Sequence, residues 1–402
     1  MTDVYSANFA NVYPKKDFYA FLQEHTKNYD KAMFEKIEIQ KYEESEGFNS
    51  TIFKVKAYDN KNNVRHMILK VPCVDKFIEK LQNAGQQIDE NDEVNNETFY
   101  FHNLECSFYS ISSQINDVPL PKILAFKKSI AISSPGGILM EDLSKRTASL
   151  KIYDTFNIEK ILNLTACLAH LHSSSLLLKP ETLKSFNLRN RFFEDCASFN
   201  PKFAEKTFKF FPHLRKHYAQ FYKIIRSREF AEYSVVGISK ELGTPDVLVH
   251  GDLFCNNILW KLDKNGCCSN DIGAIIDWQL THAGSIMEDL TKILIVSASI
   301  ETRHYAETIV FDKYMEVITD DLNKFEKPIP FTKQQLEKAY RLSFINQVFF
   351  LLFGISFFIP ENLFHSTSQT IQKKLDELAC RAEHAMIDAS YILNTEIPKR
   401  FQ

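Results

Sequence analysis

One stretch constrains the fold more than any other: Val247-Leu-Val-His250-Gly251-Asp252-Leu253-Phe254-Cys255-Asn256-Asn257-Ile258-Leu259-Trp260. An apolar strand delivers a histidine, a glycine and an aspartate to its end. Asn257 follows Asp252 by five positions, and a second apolar strand then begins. After the turn residues Asp263-Lys264-Asn265-Gly266 comes a third strand, Gly273 to Ile276, which ends at Asp277-Trp278. In an antiparallel pair the start of one strand lies beside the end of the other. The turn centre near residue 267 is midway between Asn257 and Asp277, so the hairpin sets these two side by side, next to the loop carrying Asp252.

Two carboxylates and one amide oxygen at one strand edge are what phosphoryl transfer from ATP requires. One carboxylate orients the acceptor hydroxyl and takes its proton. The other carboxylate and the amide oxygen hold Mg²⁺, a hard cation that prefers oxygen ligands. Cys255 lies in the same loop but is a poor ligand for such an ion.

The surrounding sequence divides in two. Residues 13 to 36 read as a helix. Thr51 to Ala57 alternates, with Phe53, Val55 and Ala57 on one face and Lys54 and Lys56 on the other. A polar turn at Asp59-Asn60-Lys61-Asn62-Asn63 leads into a second strand, Arg65 to Val71, and the pair makes a hairpin. Residues 92 to 113 read as a helix and 121 to 140 as strands. From 155 to 235 the pattern is mainly long amphipathic helices, and after residue 278 helices resume. The expectation is an α+β chain with a strand-rich part at 1–140 and a larger, mainly helical part at 141–402, joined by a short junction and flanking a cleft.

Composition narrows the function. With 48 Lys+Arg against 51 Asp+Glu the net charge is −3, which argues against a nucleic-acid or membrane-surface binder. The eight cysteines form no C-x-x-C pair, so reduced thiols in a cytoplasmic protein are expected. The N-terminus shows no basic segment followed by an apolar run. The most apolar run, Val348 to Ile359, has 12 residues, short of the ~20 a bilayer needs, and reads as a core helix.

The run HGDLFCNNIL followed by IIDWQ resembles the catalytic and metal-binding motifs of the choline/aminoglycoside phosphotransferase-like kinases. It is most similar to the CHK kinase-like, ecdysteroid-kinase-like branch with its nematode members. The resemblance covers roughly residue 40 to beyond residue 300 and implies a protein-kinase-like bilobal fold. It also implies roles: Asp252 as catalytic base, His250 as the residue that shapes its loop, and Asn257 and Asp277 as Mg²⁺ ligands. Lys70, in Met67-Ile-Leu-Lys-Val-Pro72, resembles the phosphate-binding lysine. Glu105 resembles the helix glutamate that pairs with it, with Glu97 as the competing choice. Glu141 and Leu143 resemble the connector whose backbone binds adenine. The loop over the phosphates would lie near residues 43–50, with Gly47 and Ser50 in its cradle, but it holds one glycine and three glutamates. Asp289 would brace the catalytic loop.

The resemblance thus implies an ATP- and Mg²⁺-dependent kinase whose acceptor is the hydroxyl of a small molecule. The aromatic-rich run 342–364 favours a lipophilic, steroid- or xenobiotic-like alcohol, although a plain helix core explains it equally well. The alternative is a nucleotide-binding scaffold without turnover, a pseudokinase, which the acidic phosphate loop favours. His170 and His172, two apart on a helix, face different sides and read as packing or capping groups rather than a shared metal site. Cys267 and Cys268 read as an exposed loop pair.

Overall fold

The computed structural model describes residues 36–42, 50–59, 61–73, 92–130 and 136–402. The helix expected over 13–36 lies outside them up to Lys36, which begins a strand, and Gly47 also lies outside the described residues. The contacts divide the chain into two compact units. One comprises the residues up to Ile111 together with Pro121–Arg146; the other comprises Ser112–Leu120 and Thr147–Gln402.

Among the described residues the first unit is a five-stranded sheet with a helix. Its elements are β1 (Lys36–Lys41), β2 (Ser50–Tyr58), β3 (Val64–Pro72), α1 (Asp92–Ile111), β4 (Ile123–Lys127) and β5 (Gly137–Glu141), with strand order β1-β2-β3-β5-β4. The expected hairpin is β2–β3, with Phe53 opposite Leu69 and Ile52 opposite Lys70. Its turn closes because the Asp59 carboxylate accepts from the Lys61 and Asn63 amides at 2.8 and 2.9 Å. Alternation then decides the core. Ile37, Ile39, Phe53, Val55, Ala57, Met67, Leu69, Val71, Ala125 and Leu139 form one buried apolar cluster. Lys70 falls on the opposite face of β3, the side on which α1 packs.

The second unit is mostly helical around two short pieces of sheet. It holds β6 (Thr147–Ala148), α2 (Ile158–Leu176), α3 (Asn190–Phe210), β7 (Val247–Val249), β8 (Ile258–Leu262), β9 (Cys268–Ile275) and β10 (His282–Gly284). Then come α4 (Glu288–Ser297), α5 (Val310–Asn323), α6 (Lys333–Phe358) and α7 (Gln369–Thr395). Strands β6, β8 and β9 form one sheet and β7 pairs with β10. The long helices expected through residue 235 stop at Phe210. Pro212, and Gly243 with φ 65°, break the following stretch into short turns, including a π-helical one at Tyr233–Gly237.

The apolar run Val348–Ile359 ends α6, which starts at a Thr332–Gln335 capping box. Among the described residues α6 is long and apolar enough to cross a membrane, but 72% of its most apolar window is buried inside the fold, and it packs against α3, α4 and α7. The segment Ser112–Leu120 is fastened in this unit. The Asn116 amide donates to Ser174 Oγ at 3.0 Å, and the Pro119 carbonyl accepts from the Ile275 amide at 2.8 Å.

Candidate functional site

In the first unit, β3 places Lys70 between Ile52 and Ile138 of its two neighbouring strands. Its ammonium donates to Glu105 Oε2 at 2.6 Å, with both residues buried. Glu105, the helix glutamate named from the sequence, thus reaches the lysine. Such a buried pair is held by short geometry rather than by net gain over apolar packing. Ser50 is buried at the start of β2, opposite Pro72. The Glu141 amide donates to the Lys122 carbonyl at 3.0 Å. Its carboxylate accepts from the Lys122 amide at 2.8 Å and from Arg146. The side chain is thus occupied by the unit's own framework, and the Leu143 carbonyl accepts from the Arg146 amide at 3.0 Å.

In the second unit, the fully buried β7 ends at His250-Gly251-Asp252. His250 is buried, and its tautomer follows from its partners. Nδ1 faces the Asp252 amide, a donor, at 3.2 Å, so Nε2 carries the proton and donates to the Ile276 carbonyl at 3.0 Å. The ring also packs 4.5 Å from Trp278. His250 thereby ties the Asp252 loop to the end of β9. Gly251 has φ 78°, and a Cβ there would collide with the Leu280 carbonyl oxygen, so glycine is required.

After a 3₁₀ turn at Cys255–Asn257, the side-chain Nδ2 of Asn257 donates back to the Asp252 carbonyl at 2.8 Å and to Asp252 Oδ2 at 3.2 Å. The Asn257 carbonyl accepts from the Ile276 amide at 3.0 Å, which puts Asp277 one residue from that junction. Asp277 sits at φ 67°, an uncommon conformation for a side chain other than glycine, seen where function or turn geometry over-determines the backbone. Asp252 and Asp277 are half-buried and Asn257 is buried. The side-chain nitrogen of Asn257 is committed to Asp252, and its side-chain oxygen accepts from the Asn256 side-chain amide at 3.3 Å. Amide and carboxylate oxygens such as those of Asn257 and Asp277 are the ligand type Mg²⁺ takes. Burial pushes the Cys255 thiol up to about 12, which keeps it out of that set.

Below the loop, α4 presents charged groups in a buried setting. Asp289 accepts the His250 and Gly251 amides at 2.7 and 3.1 Å. Burial and the neighbouring Glu288 raise its pKa to about 6, against the pull of Lys292. Lys292 donates to the Gly251 carbonyl. His282 has the Leu280 carbonyl at 2.9 Å from Nδ1 and Glu288 Oε2 at 3.2 Å from Nε2. Both are acceptors, so the ring is an imidazolium. Burial works to lower its pKa, but Glu288 and the Leu280 carbonyl outweigh that and raise it.

Sequence reasoning singled out Asp289 but not Lys292 or the His282–Glu288 pair. The signal available was a lysine three residues after an aspartate in an otherwise apolar helix. The histidines of α2 are packing groups as expected: His172 Nδ1 faces Tyr314 Oη at 2.8 Å and His170 Nδ1 faces Asp321 Oδ2 at 2.6 Å. His170, Asp321 and Asp117 lie close enough to hold an ion, but Asp321 is already bound by Ser173 and Lys324.

The family model DUF1679, described as "Uncharacterized oxidoreductase dhs-27", matches residues 17–391. The Caenorhabditis elegans protein of that description is 27% identical over 319 residues, which are 78% of this chain; the chain spans only 38% of that relative's length. The "Uncharacterized kinase-like protein D1044.1" of the same organism is 25% identical over 289 residues, covering 70% of this chain and 72% of the relative. Among solved structures, a GDP and kanamycin complex of the phosphotransferase APH(2")-IIia superposes with a TM-score of 0.44 at 12% identity, covering 94% of this chain and 99% of that one.

Proposed function

Because the chain belongs to the DUF1679 family, with a kinase-like relative, we propose that it is an ATP-dependent phosphotransferase acting on a hydroxyl of a small molecule. The observation that carries this reading is the tether between Asn257 and Asp252, which sets a carboxylate beside an amide oxygen at the mouth of the β8–β9 hairpin. Asp252 would accept the proton of the acceptor alcohol as its oxygen bonds to the γ-phosphorus. The bond to the β–γ bridging oxygen breaks, and ADP leaves. Asn257 and Asp277 would hold Mg²⁺, which supplies charge neutralisation on the phosphates. Lys70, held by Glu105, would bind the α- and β-phosphates, and the Glu141–Leu143 backbone would bind adenine. A lipophilic alcohol is the acceptor class we favour, in a cytoplasmic setting that suits eight free thiols. The name oxidoreductase belongs to a relative of which this chain spans the smaller part. The sequence holds no G-x-G-x-x-G, the turn that cradles a dinucleotide pyrophosphate.

The test is thermal melting with Mg²⁺-ATP, followed by ADP release against an alcohol library. Stabilisation and acceptor-dependent ADP release are expected. Asp252→Asn should lower turnover ~10²–10⁴-fold with nucleotide stabilisation retained, and Asp277→Ala should abolish the Mg²⁺-dependent part of that stabilisation. Stabilisation without turnover would identify a nucleotide-binding scaffold. Neither response would remove the reading altogether.

A further inference from the structure

Lys292 is fully buried. Its ammonium donates to the Gly251 carbonyl and lies 4.3 Å from the centre of the Phe350 ring and 5.3 Å from that of Phe254. A buried ammonium is costly unless it is well partnered. The helix around it is apolar, Leu290 and Ile293–Val296 being buried, and methionine would fill the same volume without a charge. Lys292 directs its charge at one backbone oxygen, that of the residue before Asp252.

Gly251 is the reason this matters. A glycine backbone turns freely, so the peptide joining Gly251 to Asp252 could rotate and carry the Asp252 side chain with it. That peptide is held at both edges. Its carbonyl accepts from Lys292, and its amide donates to His250 Nδ1. The two preceding amides, of His250 and Gly251, go to Asp289. Asp289 and Lys292 are three apart, on one face of α4, so a single helical turn grips successive donors and an acceptor of the loop. The charges also balance: Asp289 and Glu288 are offset by Lys292 and the His282 imidazolium, all within the same buried region.

Resting on the phosphotransferase reading above, we propose that Lys292 is a positioning residue for Asp252: by fixing the Gly251 carbonyl it sets the peptide plane that aims the Asp252 carboxylate. It touches no substrate and acts only through the loop. A misplacement of the base by about 1 Å costs on the order of 10²-fold in rate.

The experiment uses the full chain and its Lys292→Met variant. Native-state hydrogen exchange of the residue 250–252 amides needs no substrate. The variant should melt cooperatively while these amides exchange about tenfold faster. With Mg²⁺-ATP and an acceptor from the library, kcat for ADP release should fall about 10²-fold and the KM for ATP should stay unchanged. Lys292→Gln, which keeps a neutral N–H on a chain one atom shorter, should fall between the two and answers the same question should methionine not fold. Unchanged exchange in a folded variant overturns the proposal, as does a KM effect without a kcat effect. If the wild type neither binds Mg²⁺-ATP nor releases ADP, the phosphotransferase reading fails, and the exchange rates still decide whether Lys292 holds the loop.

Discussion

At the scale of single residues, burial decides what each charged side chain is for. Lys70 and Glu105 sit 2.6 Å apart with almost no exposure, so removing one partner strands the other. Lys70→Met should destabilise the chain by ~3 kcal/mol in urea unfolding, whereas the double variant Lys70→Met/Glu105→Leu should recover most of that loss. A double variant as unstable as the single would mean the pair is not what the site depends on. Gly251→Ala meets both a positive φ and the Leu280 carbonyl, and should cost ~2 kcal/mol or more by the same measurement. The sequence made Lys70, Asp252, Asn257 and Asp277 legible because their spacing is a chain property. It named Glu105 ahead of Glu97, about two turns earlier on the same helix, by resemblance alone; the contact itself needs β3 and α1 in place. The partner of Lys292 was illegible because it is a backbone oxygen, and backbone atoms leave no trace in residue identity.

At the scale of elements, periodicity located the hairpins and long helices, and errors gathered where a strand is irregular. The β8–β9 hairpin pairs Ile258 with Ile275 but Leu262 with Cys268, because its register shifts on either side of Trp260. Counting symmetrically about a turn therefore set Asn257 opposite Asp277, whereas its backbone partner is Ile276. The offset matters, since one residue of slip moves a side chain to the other face of a strand. Asp277 escapes that rule by leaving the strand with a left-handed backbone. Cys268 opens β9 rather than sitting in a loop. Among the helices, α6 begins with reciprocal capping by Thr332 and Gln335. Thr332→Ala should lower stability by ~1 kcal/mol in a urea melt and leave stabilisation by Mg²⁺-ATP as large as in the wild type.

At the scale of the whole molecule, buried titratable groups give stability a peak in pH. Burial lowers the pKa of His102 to about 4 and that of His172 to about 3. Below an unfolded value of ~6.5 the unfolded chain takes up protons that these native rings refuse. Their contribution is present above pH ~6.5 and is lost as pH falls toward the native values. Asp289, raised to about 6, works the other way: its native state keeps a proton the unfolded chain has released, and that advantage disappears as pH rises through 6. Two histidines against one aspartate leave stability rising with pH between about pH 4 and 6, and more steeply from there to ~6.5, where Asp289 no longer opposes them. His282, with its raised native value, contributes fully below ~6.5 and loses that contribution as pH rises through the native value. Urea unfolding at about pH 5, 6.5 and 8 should find the greatest stability at the middle value. His172→Phe should flatten the acid side, and a monotonic profile would contradict the ionisation states assigned above.

The nine-residue excursion Ser112–Leu120 carries a consequence for synthesis. Leaving the ribosome, this segment emerges between two stretches of the sheet-bearing unit. Its own companions, Ser174 and Ile275, are translated later. The apolar side chains of Ile115 and Val118, buried in the finished protein, emerge before those two partners of the segment. A fragment ending at Arg146 would carry this segment without Ser174 and Ile275, so the sheet-bearing unit is not obtained by a single cut.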